Sequence, residues 1–173
     1  MKESPQMKIR VDTKCKTLTI DGKSYACAIG KNGFTPQADG REGDGKTPLG
    51  TYPIRYGYYR ADRISAPQSG LEFHTLRDGD GWCDEPDDPA YNRPVRLPYP
   101  ASAEQLYRDS HVYDIIIVLG HNDSPPAPGL GSAIFLHIAR ENYGPTQGCV
   151  AVSQTDMQSI LPHLARGDEI EIY

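Results

Sequence analysis

The sequence predicts a mainly β protein with two or three short helices, built as one domain over residues 1–173. Three observations carry that reading. Short runs rich in β-branched and aromatic residues recur along the chain, each bounded by glycine, proline or Asp-Gly. The chain holds 17 glycines and 15 prolines against 38% hydrophobic residues, which is a loop-rich balance. Helix-start chemistry stands out at two places, residues 102–105 and 153–156, and each opens only a short stretch.

Taken in order, residues 1–6 read as a disordered start and 7–11 as an edge strand. Thr17-Leu18-Thr19-Ile20 and residues 23–29 flank Asp21-Gly22. That pair suits a type I′ hairpin turn, in which both central residues need positive φ. Cys15 and Cys27 lie near opposite sides of the hairpin and read as structural; an oxidising compartment would allow a disulfide. Residues 30–50 form a glycine-rich loop. Within it, Gly40-Arg41-Glu42-Gly43-Asp44-Gly45-Lys46-Thr47 satisfies the GxxxxGK[ST] phosphate-loop pattern. That motif works when a buried strand precedes it and a helix follows, because the helix N-terminus holds the phosphates. Here Pro36 stands before it, and Pro48, Gly50 and Pro53 follow inside a β-prone run. No helix can be built there, so no nucleotide partner is expected.

Residues 52–59 are aromatic-rich and read as a strand, and 71–76 as another, with His74 a partly buried structural residue. Residues 78–89, DGDGWCDEPDDP, form an acidic loop around the single tryptophan, Trp82. One reading is a solvated turn cluster. Calcium is a second, but the D-x-[DN]-x-[DN]-G spacing is not met and no metal is expected. A third places Trp82 and Asp84 in the wall of a substrate channel, where a carboxylate would meet an amine. Ser102-Ala103-Glu104-Gln105 has the form of a capping box and predicts a helix to about Arg108. Asp114 and the apolar run 115–119 predict a buried strand ending at Gly120-His121-Asn122. After a loop at 125–131, Ser153 caps a helix to about Ala165. Gly167 ends it, and residues 168–173 alternate as a last strand.

The chemistry concentrates in residues 134–152, IFLHIARENYGPTQGCVAV. An apolar β-prone run ends on His137, a polar turn segment follows, and the chain re-enters apolar sequence at Gly148-Cys149-Val150. A histidine at a strand end and a cysteine after a glycine turn can meet in space. The imidazole then takes the thiol proton and the thiolate attacks a carbonyl carbon, so a paired cysteine is expected to titrate well below the ordinary 8.5 or so. Gly148 lets a substrate approach the backbone, and the Cys149 amide can donate to the developing oxyanion. The plainer reading is a small buried thiol and a satisfied strand histidine. His121, also at a strand end, is the rival base: if the two strands are neighbours, both polar ends would face one cleft.

His137 followed by Thr146-Gln147-Gly148-Cys149-Val150 resembles the signature of the L,D-transpeptidase catalytic domain, the YkuD family of bacterial cell-wall enzymes. That signature is His-Gly, a short loop, then Ser-x-Gly-Cys, an aliphatic residue and Arg. Residues 43–54, GDGKTPLGTYPI, resemble the family's strand-entry motif. Gly81-Trp82-Cys83-Asp84, Tyr91-Asn92 and Leu119-Gly120-His121-Asn122 are similar to one compact branch, and the resemblance runs from about Thr17 to the C-terminus. Ile138, Thr146 and Ala151 depart from the pattern, and the twelve-residue spacing from His137 to Cys149 is short. The departures bear on substrate detail more than on chemistry, because both reacting residues are present. The resemblance implies a β-sandwich or barrel-like pair of sheets with the cysteine in a cleft. It implies acyl transfer between peptidoglycan stem peptides through a thioester. Cys149 would be the nucleophile and His137 the base, with Gly148, Thr146, His121 and Asn122 positioning the oxyanion or substrate. Trp82, Asp84 and Tyr143 would contact substrate. Hydrolysis of the same stems, or wall binding without turnover, are the competing functions.

Composition bounds the remainder. A net charge of −5 with no basic patch argues against nucleic acid as a partner. No run of ~18 apolar residues predicts a transmembrane helix, and the four cysteines show no CxxC spacing that would suggest a zinc ribbon or redox pair. No cofactor is expected. The first residues, MKESPQMKIRV, lack the apolar core of a secretory signal. The family implies the cell envelope or periplasm, while the sequence leaves the cytoplasm open.

Overall fold

A computed structural model describes residues 8–173; the expected disordered start at 1–6 lies outside the described residues. In chain order the strands are β1 (Lys8–Asp12), β2 (Thr17–Ile20), β3 (Lys23–Ala26), β4 (Phe34–Pro36), β5 (Thr47–Tyr59), β6 (Phe73–Thr75), β7 (Asp80–Cys83), β8 (Pro94–Arg96), β9 (Ala103–Gln105), β10 (Ile115–Leu119), β11 (Phe135–Ile138), β12 (Val150–Val152) and β13 (Glu169–Ile172). Among the described residues there is one α-helix, α1 (Gln154–Ile160), before β13. The large sheet runs β12-β11-β10-β5-β13-β1-β2-β3, with β4 and β6 also pairing to β5, and a small sheet runs β8-β7-β9.

β5 joins the two halves of the large sheet. Its first part pairs with β13 (Thr51↔Glu171) and its second with β10 (Gly57↔Ile117). Ile9, Val11, Leu18 and Ile20 from one half share a single core with Ile117, Leu136, Val150 and Val152 from the other. The free edges are drawn together as well, since Ala28 just beyond β3 exchanges both backbone hydrogen bonds with Ala151 of β12, at 2.8 and 3.0 Å. The result is the mainly β, barrel-like architecture that the sequence predicts, closed around an aliphatic interior.

Several expectations need correction. β1 is not an edge strand: it lies between β13, parallel, and β2, antiparallel, and Ile9 and Val11 are fully buried. The capping box at 102–105 does not start a helix. Glu104 pairs with Trp82 in β9, and the Leu106 amide donates to the Asp80 carbonyl. Four residues of cap chemistry without an apolar helical stripe cannot outweigh a ready strand partner. The second predicted helix does form. The Ser153 hydroxyl accepts from the Asp156 amide at 3.1 Å, but α1 stops at Ile160 and passes into a 3-10 turn, Leu161–His163. Pro162 has no amide to continue the α pattern. His74 is exposed on β6 beside Tyr56 and Tyr58 rather than partly buried. The hairpin turn is as expected, with Asp21 and Gly22 at φ +49° and +73°, and Cys15, Cys27, Cys83 and Cys149 are all free thiols.

Candidate active site

Strand parity places the reacting groups. Side chains alternate across a strand, so Leu136 and Ile138 enter the main core while Phe135 and His137 face the other side of the sheet. β12 runs parallel to β11 with Leu136 opposite Val150. Cys149 therefore lies opposite Phe135, on the same face as His137. Both open into a cleft of about 440 Å³ between the large sheet and the small one.

The turn before Cys149 is held from three directions. The Thr146 hydroxyl donates to the Cys149 carbonyl at 2.6 Å and accepts from the Gly148 amide at 3.1 Å. The buried Thr47 hydroxyl donates to the Gly148 carbonyl at 2.9 Å and accepts from the Gly30 amide at 2.9 Å. Thr146 also exchanges backbone bonds with residues 29 and 31, at 3.0 and 2.8 Å. Gly148 sits at φ +137°, and a Cβ there would approach the Lys46 carbonyl oxygen to 2.8 Å. Only glycine fits. The phosphate-loop look-alike is thus a structural brace: Lys46-Thr47 leads into β5, not into a helix.

The resting protonation states differ from those the sequence suggests. His137 Nδ1 lies 2.9 Å from the Ile138 carbonyl, which can only accept. The ring proton is therefore on Nδ1 and Nε2 carries the lone pair of a base. Burial holds the imidazole neutral and lowers its pKa to about 4. The Cys149 thiol is pushed up, to about 12, first by burial and then by the Glu104 carboxylate. It is not the low-pKa thiolate expected of a paired cysteine. Sγ donates to the Ala133 carbonyl at 3.2 Å and accepts from the Phe135 amide at 3.3 Å, and among the described residues no hydrogen bond joins it to the imidazole. The site thus pairs a neutral thiol with a neutral imidazole.

Of the other expected site residues, Asp84 does line the cleft, with Oδ1 buried and lacking a hydrogen-bond partner. Trp82 does not; it is buried behind the site, edge-on to Phe135 at 5.2 Å, with its indole donating to Asn92. Tyr143 is exposed over a separate hollow with Lys16 and Lys31. The idea that His121 and His137 share one cleft fails because β10 and β11 are antiparallel, Ile116 opposite His137, so the two strands end at opposite edges. His121 lies against Tyr52 in a small pocket on the far side of Glu42 and Ser132. Asn122 spends its amide on loop backbone, bonding Ala127 and Gly131.

Sequence reasoning missed four contributors. Glu104, Arg108 and Tyr113 line the cleft beside Cys149. Asn92, at φ +57°, accepts from the Trp82 indole and the Ala133 amide and donates to the carbonyls of His121 and Asn122. It fixes the backbone whose carbonyl holds the thiol. Only Tyr91-Asn92 gave a signal, as part of the family resemblance.

Among solved structures, this chain is similar to L,D-transpeptidase 1 from Mycobacterium tuberculosis, at 12% identity and TM-score 0.45, with 96% of this chain and 58% of that one covered. An L,D-transpeptidase from Mycobacterium smegmatis matches at 13% and 0.43, covering 97% and 58%. One from Xylanimonas cellulosilytica matches at 13% and 0.43, covering 100% and 63%. The chain thus spans less than two thirds of each. Among curated proteins none matches. The family model of the L,D-transpeptidase catalytic domain, YkuD, matches residues 6–172, nearly the whole length, and the chain belongs to that family.

Proposed function

We propose that this chain is a cysteine acyltransferase that cross-links peptidoglycan stem peptides through a thioester on Cys149. The observation that carries the reading is the placement of Cys149 and His137 on one sheet face, opening into one cleft, with the imidazole fixed as the Nε2 base. His137 accepts the thiol proton as Sγ adds to a stem carbonyl carbon. The Gly148 amide is already engaged by Thr146, so the Cys149 amide is the donor that faces the developing oxyanion. His137 then protonates the departing amine, leaving the thioester. An incoming amine attacks it, gives a proton to His137, and the thiol is regenerated.

The resting state adds a condition. Moving a proton from a thiol raised to about 12 to an imidazole lowered to about 4 is strongly unfavourable by itself. Substrate must draw Sγ away from the Ala133 carbonyl and place an electrophile beside it, so that proton transfer and attack are coupled. The cleft's polarity suits a stem carrying both charges. Glu42 and Asp84 face one part of it, where an ammonium group would bind, and Arg108 and Arg140 another, where a carboxylate would bind. In this reading the chain acts in the cell envelope, where such stems lie.

Incubation with purified muropeptides, followed by mass spectrometry, tests the proposal. Cross-linked dimers support it. Shortened stems without dimers would make the site hydrolytic, and binding without turnover would leave a wall-binding module.

A further inference from the structure

The mechanism uses Cys149 and His137, yet the most elaborate polar arrangement in the cleft surrounds neither directly. Glu104, on β9 of the small sheet, accepts from the Tyr113 hydroxyl at 2.5 Å and from the Arg108 guanidinium at 2.8 Å, both at Oε1. The Tyr113 ring stands edge-to-face against His137, centroids 5.1 Å apart at 86°, and against Phe135 at 5.9 Å. The Arg108 guanidinium lies 4.3 Å from the centroid of the same ring. Phe135 in turn gives its amide to Cys149 Sγ. One half-buried carboxylate, clamped by a phenol and a guanidinium, is therefore tied through the Tyr113 ring to His137 and, by way of Phe135, to Cys149.

We propose that Glu104, clamped by Tyr113 and Arg108, is a positioning residue whose negative charge sets the ionisation of the Cys149/His137 pair. The proposal rests on the reading of Cys149 as nucleophile. Its physical basis is that, among the described residues, no carboxylate hydrogen-bonds to His137; its Nδ1 is held by a backbone carbonyl. When it takes the thiol proton it becomes a cation in a site that is 7% exposed. A buried cation needs a counter-charge nearby. The same charge keeps the resting thiol protonated, in line with the upward push that Glu104 exerts on Cys149. The charges that act on His137 are Arg108 and Arg140, which both push it down; Glu104 pairs with Arg108 at 2.8 Å and offsets part of that push, favouring the imidazolium once the proton has moved.

The charged and titratable groups facing the pair are Glu104 and Arg108 from the small-sheet side, Tyr113 before β10, Arg140 beyond β11, Glu42 before β5 and Asp84 beyond β7. Removing one negative charge from this set lowers the pKa of every neighbour, and removing one positive charge raises it. A residue that only supports the fold would lower reactivity without moving its pH dependence.

The experiment is alkylation of Cys149 by iodoacetamide, followed by peptide mapping, on the full chain at fixed pH values between roughly 7 and 10, below the thiol's pKa, where the rate tracks the thiolate fraction. Glu104→Gln keeps the shape and hydrogen-bonding capacity and should raise the rate at each pH by roughly threefold or more, the equivalent of a pKa about half a unit lower, where a merely structural loss would slow it. Arg108→Gln should lower the rate. The opposed signs keep the test decisive if one variant fails to fold. A rate unchanged in whichever variant folds, with muropeptide turnover intact in the unaltered chain, overturns the role of Glu104 alone. Absence of muropeptide turnover in the unaltered chain counts against the acyltransferase reading instead.

Discussion

His137 and His121 are close to a controlled comparison within one molecule. Each follows a run of buried apolar residues, His137 within β11 and His121 two residues beyond the end of β10. Each is almost fully buried, at 7% and 3% exposure, and burial lowers the pKa of each to about 4. The difference lies in what each ring nitrogen meets. His137 has one nitrogen fixed on the Ile138 carbonyl and shares its cleft with a thiol. Both nitrogens of His121 are buried without a hydrogen-bond partner, and its ring rests on Tyr52. A perturbed pKa therefore does not distinguish the two histidines; in the proposed mechanism the fixed tautomer and the neighbouring thiol single out His137.

The sharpest way to break the comparison is substitution at the two ends. Cys149→Ala should abolish muropeptide turnover with an unchanged circular dichroism spectrum, whereas Cys83→Ala should retain it. His137→Ala should reduce kcat/KM by on the order of 10²-fold or more, the usual weight of a general base. His121→Ala should stay within a few-fold of the unaltered chain. A large loss in kcat/KM at His121 with little at His137 would reverse the assignment.

A smaller effect is expected at the turn that carries the thiol. Gly148→Ala places a methyl group against the Lys46 carbonyl in a backbone region that alanine avoids. The turn must shift, and with it Sγ relative to the imidazole. A displacement near 1 Å can cost about 10²-fold, so a reduction in kcat of roughly 10- to 100-fold should accompany a drop in urea midpoint. Unchanged kinetics would show that the turn is looser than its bonds imply.

Stability against pH tests the burial that the two histidines share. A histidine whose folded pKa lies near 4 takes up its proton in the unfolded chain near 6.5. Between those values the unfolded state binds more protons, so stability falls as pH drops, by about 1.4 kcal/mol per pH unit per site at most. Burial raises the pKa of Glu42 and of Glu104, which works in the opposite direction. His121→Leu removes one histidine from this balance and should flatten the acid slope of the unfolding free energy, measured by urea titration between pH 6.5 and 4. Activity should be kept. A slope equal to that of the unaltered chain would mean that His121 is solvated.

Much of this was legible in the sequence, and the gaps share one cause. The Asp21-Gly22 turn, the Ser153 cap and the buried run 115–119 are local patterns that no distant partner overrides, whereas the cap chemistry at Ser102 lost to a strand partner. Glu104 was read as a helix cap because its true partner, Trp82, lies twenty-two positions away across β7–β9 pairing. The relation of His121 to His137 depended on strand direction, which alternating sequence does not encode. The state of the thiol depended on burial beside residues distant in sequence, Trp82, Leu106 and Val118 among them, so its chemical type alone suggested the wrong resting pKa.

The smallest expected effect sharpens the comparison by testing a residue at the His121 end. Lys46 completes the phosphate-loop pattern and lines the small pocket that holds His121, Glu42 and Gln147. In a true phosphate loop its side chain would meet the phosphates of a nucleotide, and a following helix would present its amides to them. Here the residues after it enter β5, and the Thr47 hydroxyl, which such a motif would offer to a magnesium ion, is committed to Gly148 and Gly30. Lys46 contributes to the site through its backbone, whose carbonyl abuts Gly148, and alanine keeps that backbone. Lys46→Ala should therefore leave kcat/KM for muropeptides within a few-fold, and titration of the unaltered chain with magnesium and ATP should show no saturable binding. Saturable, magnesium-dependent binding that disappears in Lys46→Ala would mean that the loop holds phosphates without the helix its mechanism requires.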